Sequence, residues 1–255
     1  MNNNAILLVS FGTTYNDARI ETLDAIENYV ALEFSSSTVY HCYTSDFIIK
    51  KLKERDNIQI DNLEQSLNQI IKDNVITLIV QPTFITDGIE YSKMLETLKK
   101  YKSSFKSLKI GFPLLKTNED YNTITDTIIS NFCPLEDDTA LICVGHGTDC
   151  NSNLVYTIVQ NIFKSKGYHN IFVLTLNSLN DIDSLKAKLN KIKTVIIAPL
   201  MLVSGKHVKK DISVFSEKLE KEGYKVLSSS KGLGQYQEVK DLIIKHITRL
   251  INDEI

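Results

Sequence analysis

Two segments in the first half of the chain recur in the second half with the same internal spacing. Residues 7–13 (LLVSFGT) match residues 142–148 (ICVGHGT), and the segment 80–90 matches 197–207 through its proline and its glycine. A repeat of this kind restricts the chain to folds built from two similar units. The sequence therefore predicts two lobes related by a pseudo-twofold axis.

Short β-branched runs alternate with amphipathic stretches, which predicts parallel strands joined by helical crossovers and an α/β fold class. Residues 133–138 are turn-prone and divide the pattern, so we expect an N-terminal lobe over 1–133 and a C-terminal lobe over 138–255. Each lobe should be a parallel sheet flanked by helices. The predicted strands are residues 5–10, 39–43, 75–81, 108–112, 139–144, 171–176, 194–200 and 225–229, and the predicted helices are residues 15–32, 63–71, 89–101, 121–132, 152–166 and 236–251.

The loops at the carboxyl ends of parallel strands open onto a crevice where ligands bind, so two facing lobes would form one interlobe cleft. Within the repeat, Phe11 corresponds to His146 and Glu90 corresponds to His207. His146 stands between two glycines directly after an apolar run, where a sharp turn would expose its imidazole. All four residues are predicted to line the cleft.

Each of these polar residues has a structural alternative. His146 could be a histidine tolerated in a turn, His207 a capping or surface histidine, and Glu90 a first-turn glutamate favoured by the helix dipole. Taken together, two imidazoles and one carboxylate on three separate loops would form an open N/O site for a borderline divalent metal. Such a site suits an ion that is held briefly and handed on, and a neutral imidazole or a carboxylate can also accept protons.

Other candidates are weaker. Ser10, Thr13 and Thr14 are predicted to donate hydrogen bonds to a ligand carboxylate, or to cap a helix. Lys206 places positive charge beside His207 and could attract an anionic substrate, or it could belong to a solvated helix face. The glycine turns do not continue as dinucleotide or phosphate-binding motifs, and a Gly-x-Ser-x-Gly elbow is missing, so nucleotide binding and serine hydrolysis have no support.

Composition restricts the partners. The 29 basic and 31 acidic residues give a formal charge of -2, which does not favour nucleic acid or an anionic membrane surface. The beginning of the chain lacks a cationic and apolar signal, and no apolar run is long enough to span a bilayer, so we expect a cytoplasmic protein. The four cysteines form no C-x-x-C pair and are predicted to be free thiols.

Recognisable segments occur along nearly the whole chain: LLVSFGT (7–13), YTS (43–45) with IIKKL (48–52), DGIEY (87–91), GFPLL (111–115), VGHG (144–147) and PLMLVSGKH (199–207). In this order they resemble the anaerobic sirohydrochlorin cobaltochelatases, a branch of the class II tetrapyrrole chelatases. The resemblance implies a bilobal α/β chelatase that inserts Co²⁺ into sirohydrochlorin in anaerobic cobalamin biosynthesis, with release of two protons.

The resemblance implies that Glu90, His146 and His207 form the catalytic and metal-binding set. It implies no permanently bound cofactor, since Co²⁺ is a substrate, with Fe²⁺ and Ni²⁺ as alternatives. Sirohydrochlorin or a related tetrapyrrole would be the other ligand, and a homo-oligomer is left open. The predicted substrate-binding residues are Ser10, Phe11, Thr13, Lys206 and Met201.

Two positions depart from the family pattern. Phe84 stands where many members carry another histidine, and Asn177 stands where some carry a glutamate, which lowers the ligand count around the cleft. Two other functions are compatible with this architecture: iron insertion into sirohydrochlorin or a porphyrin, and non-catalytic binding by a tetrapyrrole or metal carrier. A periplasmic two-lobed receptor would also have a cleft, but an export signal is expected for it.

Overall fold

The computed structural model describes residues 4–147 and 153–253, and of residues 180 and 206–209 it describes only the backbone. The chain divides into two compact units, one comprising Met1–Lys116 and Lys240–Ile255 and the other Thr117–Val239. Among the described residues, no helix is long and apolar enough to cross a membrane. Thr148, Cys150 and the predicted helix start at residue 152 lie outside the described residues.

The first unit contains a four-stranded parallel sheet with the strand order β2-β1-β3-β4. Its strands are β1 (Asn4–Ser10), β2 (Thr38–Tyr43), β3 (Thr77–Pro82) and β4 (Ser107–Ile110). Its helices are α1, which runs through Asn16–Ala18, a π-helical stretch Arg19–Asp24 and Ala25–Glu33, then α2 (Asp46–Asp56), α3 (Leu63–Lys72) and α4 (Ile89–Tyr101).

The core of this unit follows from the apolar character of its strands. Parallel strands buried on both faces appear as continuous apolar runs, and the run from Ala5 to Val9 in β1 is almost completely buried. On one face, Leu67 of α3 and Leu98 of α4 pack into the same buried cluster as β1 and β3. Helix α3 begins at a capping box in which Asn62 and Gln65 each accept a hydrogen bond from the other's backbone N–H.

The second unit contains an equivalent sheet with the strand order β6-β5-β7-β8. Its strands are β5 (Thr139–Gly145), β6 (Ile171–Thr175), β7 (Thr194–Pro199) and β8 (Lys225–Ser228). Its helices are α5 (Asn118–Phe132), α6 (Leu154–Ser165), α7 (Ile182–Lys188) and α8 (Lys206–Lys221), and α9 (Gln237–Ile251) begins here and continues in the first unit. The two parallel sheets flanked by helices confirm the predicted α/β class.

The sequence repeat corresponds to a repeat of strand register. Val9 pairs with Pro82 in the first sheet, and Val144 pairs with Pro199 in the second. The residue after each proline then donates its N–H to the paired valine carbonyl, at 2.9 Å in the first unit and 2.7 Å in the second. The matched segments therefore occupy equivalent strands and turns of the two sheets.

The compact units differ from the two halves of the sequence in two helices. Helix α5 comes from the first half but packs with α6, and Lys166 at the end of α6 donates to the Asp126 carboxylate. Helix α9 comes from the second half, yet Asp241 accepts from the Tyr29 hydroxyl at 2.7 Å and the Leu250 carbonyl accepts from Lys109 at 2.8 Å. Within the described residues, Cys42, Cys133 and Cys143 are free cysteines, as predicted.

Candidate active site

The turn after β5 carries one of the predicted catalytic side chains, His146. Every residue of β5 is buried, whereas His146, which follows the strand directly, is exposed. Gly147 has a φ of +78°, a left-handed conformation that residues with a Cβ rarely adopt. The sharp reversal at Gly147 therefore leaves the imidazole at the carboxyl edge of the sheet, where parallel α/β sheets bind their ligands.

Tyr156 of α6 contacts this turn. Its phenol oxygen accepts a hydrogen bond from the Gly147 N–H at 3.4 Å, and its ring lies where a side chain on Gly145 would stand. A Cβ at Gly145 would be only 2.1 Å from the ring carbon Cε1. Burial raises the pKa of Tyr156, which keeps the phenol neutral beneath the turn. The sequence reasoning missed this residue, because nothing in the spacing of α6 indicates which face meets the turn.

The hydrogen bonding of His146 decides which ring nitrogen is available. Its Nδ1 lies 3.0 Å from the carbonyl oxygen of Gly147. A carbonyl oxygen can only accept, so in a neutral imidazole this contact requires the hydrogen on Nδ1. The lone pair is then on Nε2, which is the atom free to bind a metal ion or take up a proton.

The equivalent turn of the first unit has the same backbone and different chemistry. Phe11 follows β1 as His146 follows β5, is 50% exposed, and precedes Gly12 at a φ of +95°. Its neighbours Ser10 and Thr13 are buried: the Ser10 hydroxyl lies 2.8 Å from the Thr83 hydroxyl, and Thr13 Oγ1 accepts from the Tyr15 N–H. Both polar side chains thus help to hold the turn, and their contact with substrate stays a prediction.

Glu90 and His207 occupy equivalent positions near two helix starts. Gly88 precedes α4 and Gly205 precedes α8 with similar extended backbone angles, so each residue is second in its helix. The Glu90 side chain is partly exposed and accepts from Lys93 Nζ at 3.2 Å. The side chains of Lys206 and His207 lie outside the part of the chain that the structure describes.

Two further predicted positions are equivalent to each other within the repeat. Phe84 follows β3 and packs against the first core cluster, and Met201, at the matching place after β7, is buried in the second. The carbonyl oxygen of each accepts a hydrogen bond from a backbone N–H at 2.8 Å, that of Phe84 from Leu114 and that of Met201 from Leu233. Asn177, the other departure, lies exposed in the 3₁₀ turn Leu176–Asn180.

Among the described residues, no three His, Cys, Asp or Glu side chains come together as a metal-binding group. This result does not include the side chain of His207, and Glu90 and His146 belong to different units. The joining of Glu90, His146 and His207 in one site stays a prediction.

A small cavity lies beneath the turn of the first unit. It has about 10 Å³ available to the centre of a water molecule, roughly the space for one water. Ser10, Thr83, Asp24, Glu27 and His41 are among its lining residues. His41 Nδ1 lies 2.7 Å from Glu27 Oε2, and this hydrogen bond raises the pKa of His41.

This ion pair predicts a pH-dependent contribution to stability. Because the pKa of His41 is higher in the fold than its ordinary value of about 6.5, the stabilisation is complete below that value and is lost as pH rises through the raised pKa. Glu27→Gln should lower the free energy of unfolding by less than about 1 kcal/mol near pH 6, since the pair is partly exposed.

The measurement is denaturant unfolding of both proteins at about pH 6 and about pH 9, and the difference should be smaller at the higher pH. Glu33→Gln, at the exposed end of the same helix, is the matched control and should show no such trend. A penalty of equal size at both pH values would rule out the ion pair as its source.

Nearly the whole chain matches a protein family model. The model of the cobalt chelatase (CbiK) family matches residues 4–252. The chain belongs to the cobalt chelatase family. This membership confirms the resemblance drawn from the sequence motifs.

Relatives of this cobalt chelatase chain match it over nearly their full length. It is 25% identical to the sirohydrochlorin cobaltochelatase of Salmonella typhimurium, over 97% of this chain and 96% of that one. It is 21% identical to the sirohydrochlorin cobaltochelatase CbiKC of Nitratidesulfovibrio vulgaris, over 99% and 92%. The structure of SirB from Bacillus subtilis with Fe³⁺ has the same fold, with a TM-score of 0.73 at 17% identity, covering 98% of this chain and 97% of that one.

Proposed function

We propose that this chain is a sirohydrochlorin cobaltochelatase that inserts Co²⁺ into sirohydrochlorin, with release of two protons, in cobalamin biosynthesis. The observation that carries the proposal is the His146 imidazole, exposed at a strand end with its Nε2 lone pair available, in a chain of the cobalt chelatase family. The names of the two full-length relatives support sirohydrochlorin as the ring.

His146 would act twice in the reaction. Neutral imidazole is a good ligand for a borderline first-row ion, so Nε2 would hold Co²⁺ before insertion. As the ion enters the ring, the pyrrolic N–H protons must leave, and the same lone pair, released from the metal, would accept one of them. A ligand held by few protein groups suits this transfer, because a closed cage would retain the ion.

Glu90 and His207 would complete the site. Both are second in a helix that begins after a glycine, and both helices follow the carboxyl end of a strand of their own sheet. Glu90 supplies a carboxylate that can bind the ion or accept the second proton, and His207 supplies a further imidazole ligand. Substrate contacts are proposed for Phe11, which is exposed, and also for Ser10, Thr13, Lys206 and Met201.

In this proposal Co²⁺ is a substrate, and the protein has no permanently bound cofactor. Fe²⁺ and Ni²⁺ also bind to mixed imidazole and carboxylate ligands, so the donor set alone does not select cobalt. The selection of cobalt is supported by the family.

An enzyme and a non-catalytic carrier differ in how many equivalents of product form per protein, and this difference tests the proposal. With sirohydrochlorin and Co²⁺ in large excess over protein, an enzyme forms many equivalents of product at an initial rate proportional to protein concentration. A carrier binds about one equivalent and leaves the spontaneous rate of metallation unchanged. Product formation that stops near one equivalent would reject the proposed function in favour of a non-catalytic carrier.

Loss of either partner of His146 should slow insertion. We expect Glu90→Gln and His207→Ala each to lower kcat by roughly 10-fold to 100-fold, because each removes a metal ligand or a proton acceptor. If the three residues act as a unit, adding either change to His146→Ala should cost much less than the product of the separate effects.

Steady-state rates of the single and double variants measure this coupling. Glu96→Gln is the matched control, since Glu96 is an exposed glutamate on the same helix as Glu90. Fully multiplicative losses would indicate independent roles and would argue against a shared site.

A further inference from the structure

Large apolar side chains are exposed after every strand of the first sheet. In the spatial order of the strands β2, β1, β3 and β4, the segments that follow contain Phe47, Phe11, Ile89 and Phe112, which are 67%, 50%, 60% and 39% exposed. Parallel strands lie about 4.8 Å apart, so the carboxyl ends of the four strands span about 14 Å at one edge of the sheet. Exposed apolar groups gathered at one place usually mark a binding surface.

A lysine ammonium group lies over two of these aromatic rings. Lys51 Nζ lies 5.6 Å from the centre of the Phe47 ring, and Lys116 Nζ lies 5.2 Å from the centre of the Phe112 ring. In each pair the lysine comes four residues after the phenylalanine. The pairs follow β2 and β4, which are the two outer strands, so the cations stand at both ends of the apolar row.

Two residues of this row have polar equivalents in the second unit. Phe11 corresponds to His146, and Ile89 corresponds to Lys206, the first residue of α8. The two copies of the repeat therefore have equivalent strands and turns but different side chains at these two positions. One copy has apolar groups where the other has an imidazole and a cation.

We propose that the apolar row of the first unit is a platform for the face of the tetrapyrrole ring and that Lys51 and Lys116 bind carboxylates on its periphery. The inference rests on the proposed function and adds the residues that select a polycarboxylate ring over a porphyrin with fewer carboxylates. An aromatic surface complements a flat unsaturated ring, and cations at its two ends complement the surrounding anions. Asp46 and Asp87 are also exposed in the segments that follow β2 and β3, and their negative charges oppose this attraction.

Binding of metal-free sirohydrochlorin, followed by its fluorescence, tests the platform without relying on catalysis. Lys51→Gln and Lys116→Gln should each raise the dissociation constant about 3-fold to 5-fold at low ionic strength and less at high ionic strength, as expected for an exposed ion pair. Protoporphyrin, which has fewer carboxylates, should be affected less. Phe47→Ser and Phe112→Ser should weaken the binding of both rings by roughly 10-fold, since they remove apolar contact area.

Lys53→Gln is the matched control, because Lys53 is an exposed lysine of the same helix as Lys51. Its dissociation constant should equal that of the parent. If the parent binds and metallates sirohydrochlorin while both lysine variants bind it equally well, the platform is wrong and the proposed function stands. If the parent neither binds nor metallates sirohydrochlorin, the proposed function fails and the platform fails with it.

Discussion

His146→Ala should lower kcat for cobalt insertion by about 10²-fold to 10⁴-fold, the loss typical of removing a general base. The expected loss is large because Nε2 of this imidazole is proposed both to hold the ion and to accept a proton. Stability should change little, since the side chain is exposed and its hydrogen bond is to the carbonyl of the next residue. Absorbance-monitored metallation and denaturant unfolding give the two quantities.

His169 provides the matched control. It is another exposed histidine of the second unit, located before β6, at the amino end of its strand. His169→Ala should retain the parental rate and stability. A folded His146→Ala protein that metallates sirohydrochlorin as fast as the parent would end the assignment of His146.

Gly145→Ala should damage both the fold and the activity. The new methyl group would stand 2.1 Å from Tyr156 Cε1, so the buried ring must move. Forcing extra volume into a packed site costs about 1–3 kcal/mol of stability. Because Tyr156 also accepts the Gly147 N–H, its movement should shift the turn that carries His146 and lower kcat by at least about 10-fold.

A second change separates the clash from other effects of alanine. In Gly145→Ala/Tyr156→Leu the smaller side chain makes room for the methyl group, so the double variant should be destabilised less than the sum of the two single variants. Gly167→Ala is the control for destabilisation alone, since Gly167 has a φ of +87° and open space around it. It should lose stability and keep its kcat. Fully additive losses in the Gly145 pair would contradict the proposed contact.

The architecture could be predicted because the informative signals are local. The buried run in β1 is apolar without interruption, and the predicted strand 5–10 differs by one residue from the observed Asn4–Ser10. Helix α2 was not predicted, since its sequence is mostly charged and only Ile48 and Leu52 are buried. Ser45 caps it, accepting from the Ile48 N–H, but one cap is a weak signal without an apolar stripe.

The assignment of helices to units could not be predicted. Helix α5 has an apolar face that would suit either sheet, and an amphipathic pattern does not specify its partner. The same holds for α9, which begins in one unit and continues in the other. These placements depend on tertiary packing between residues that are distant in the sequence.

The candidate site was predictable where glycine constrains the backbone. The glycines around His146 predicted an exposed imidazole, and the structure confirms the exposure. Tyr156 and the lysines over Phe47 and Phe112 were not predicted, because each contact depends on the orientation of a helix or a loop. The burial of Met201 likewise depends on the packing of the second core.

Metallation of sirohydrochlorin and of protoporphyrin by Co²⁺, Fe²⁺ and Ni²⁺, monitored in parallel by absorbance, tests the central claim most directly. The proposed function predicts that catalytic amounts of protein accelerate Co²⁺ insertion into sirohydrochlorin at least about 10-fold over the reaction without protein, and over its insertion into protoporphyrin. A Co²⁺ and sirohydrochlorin reaction that proceeds at the same rate with and without the protein would contradict it.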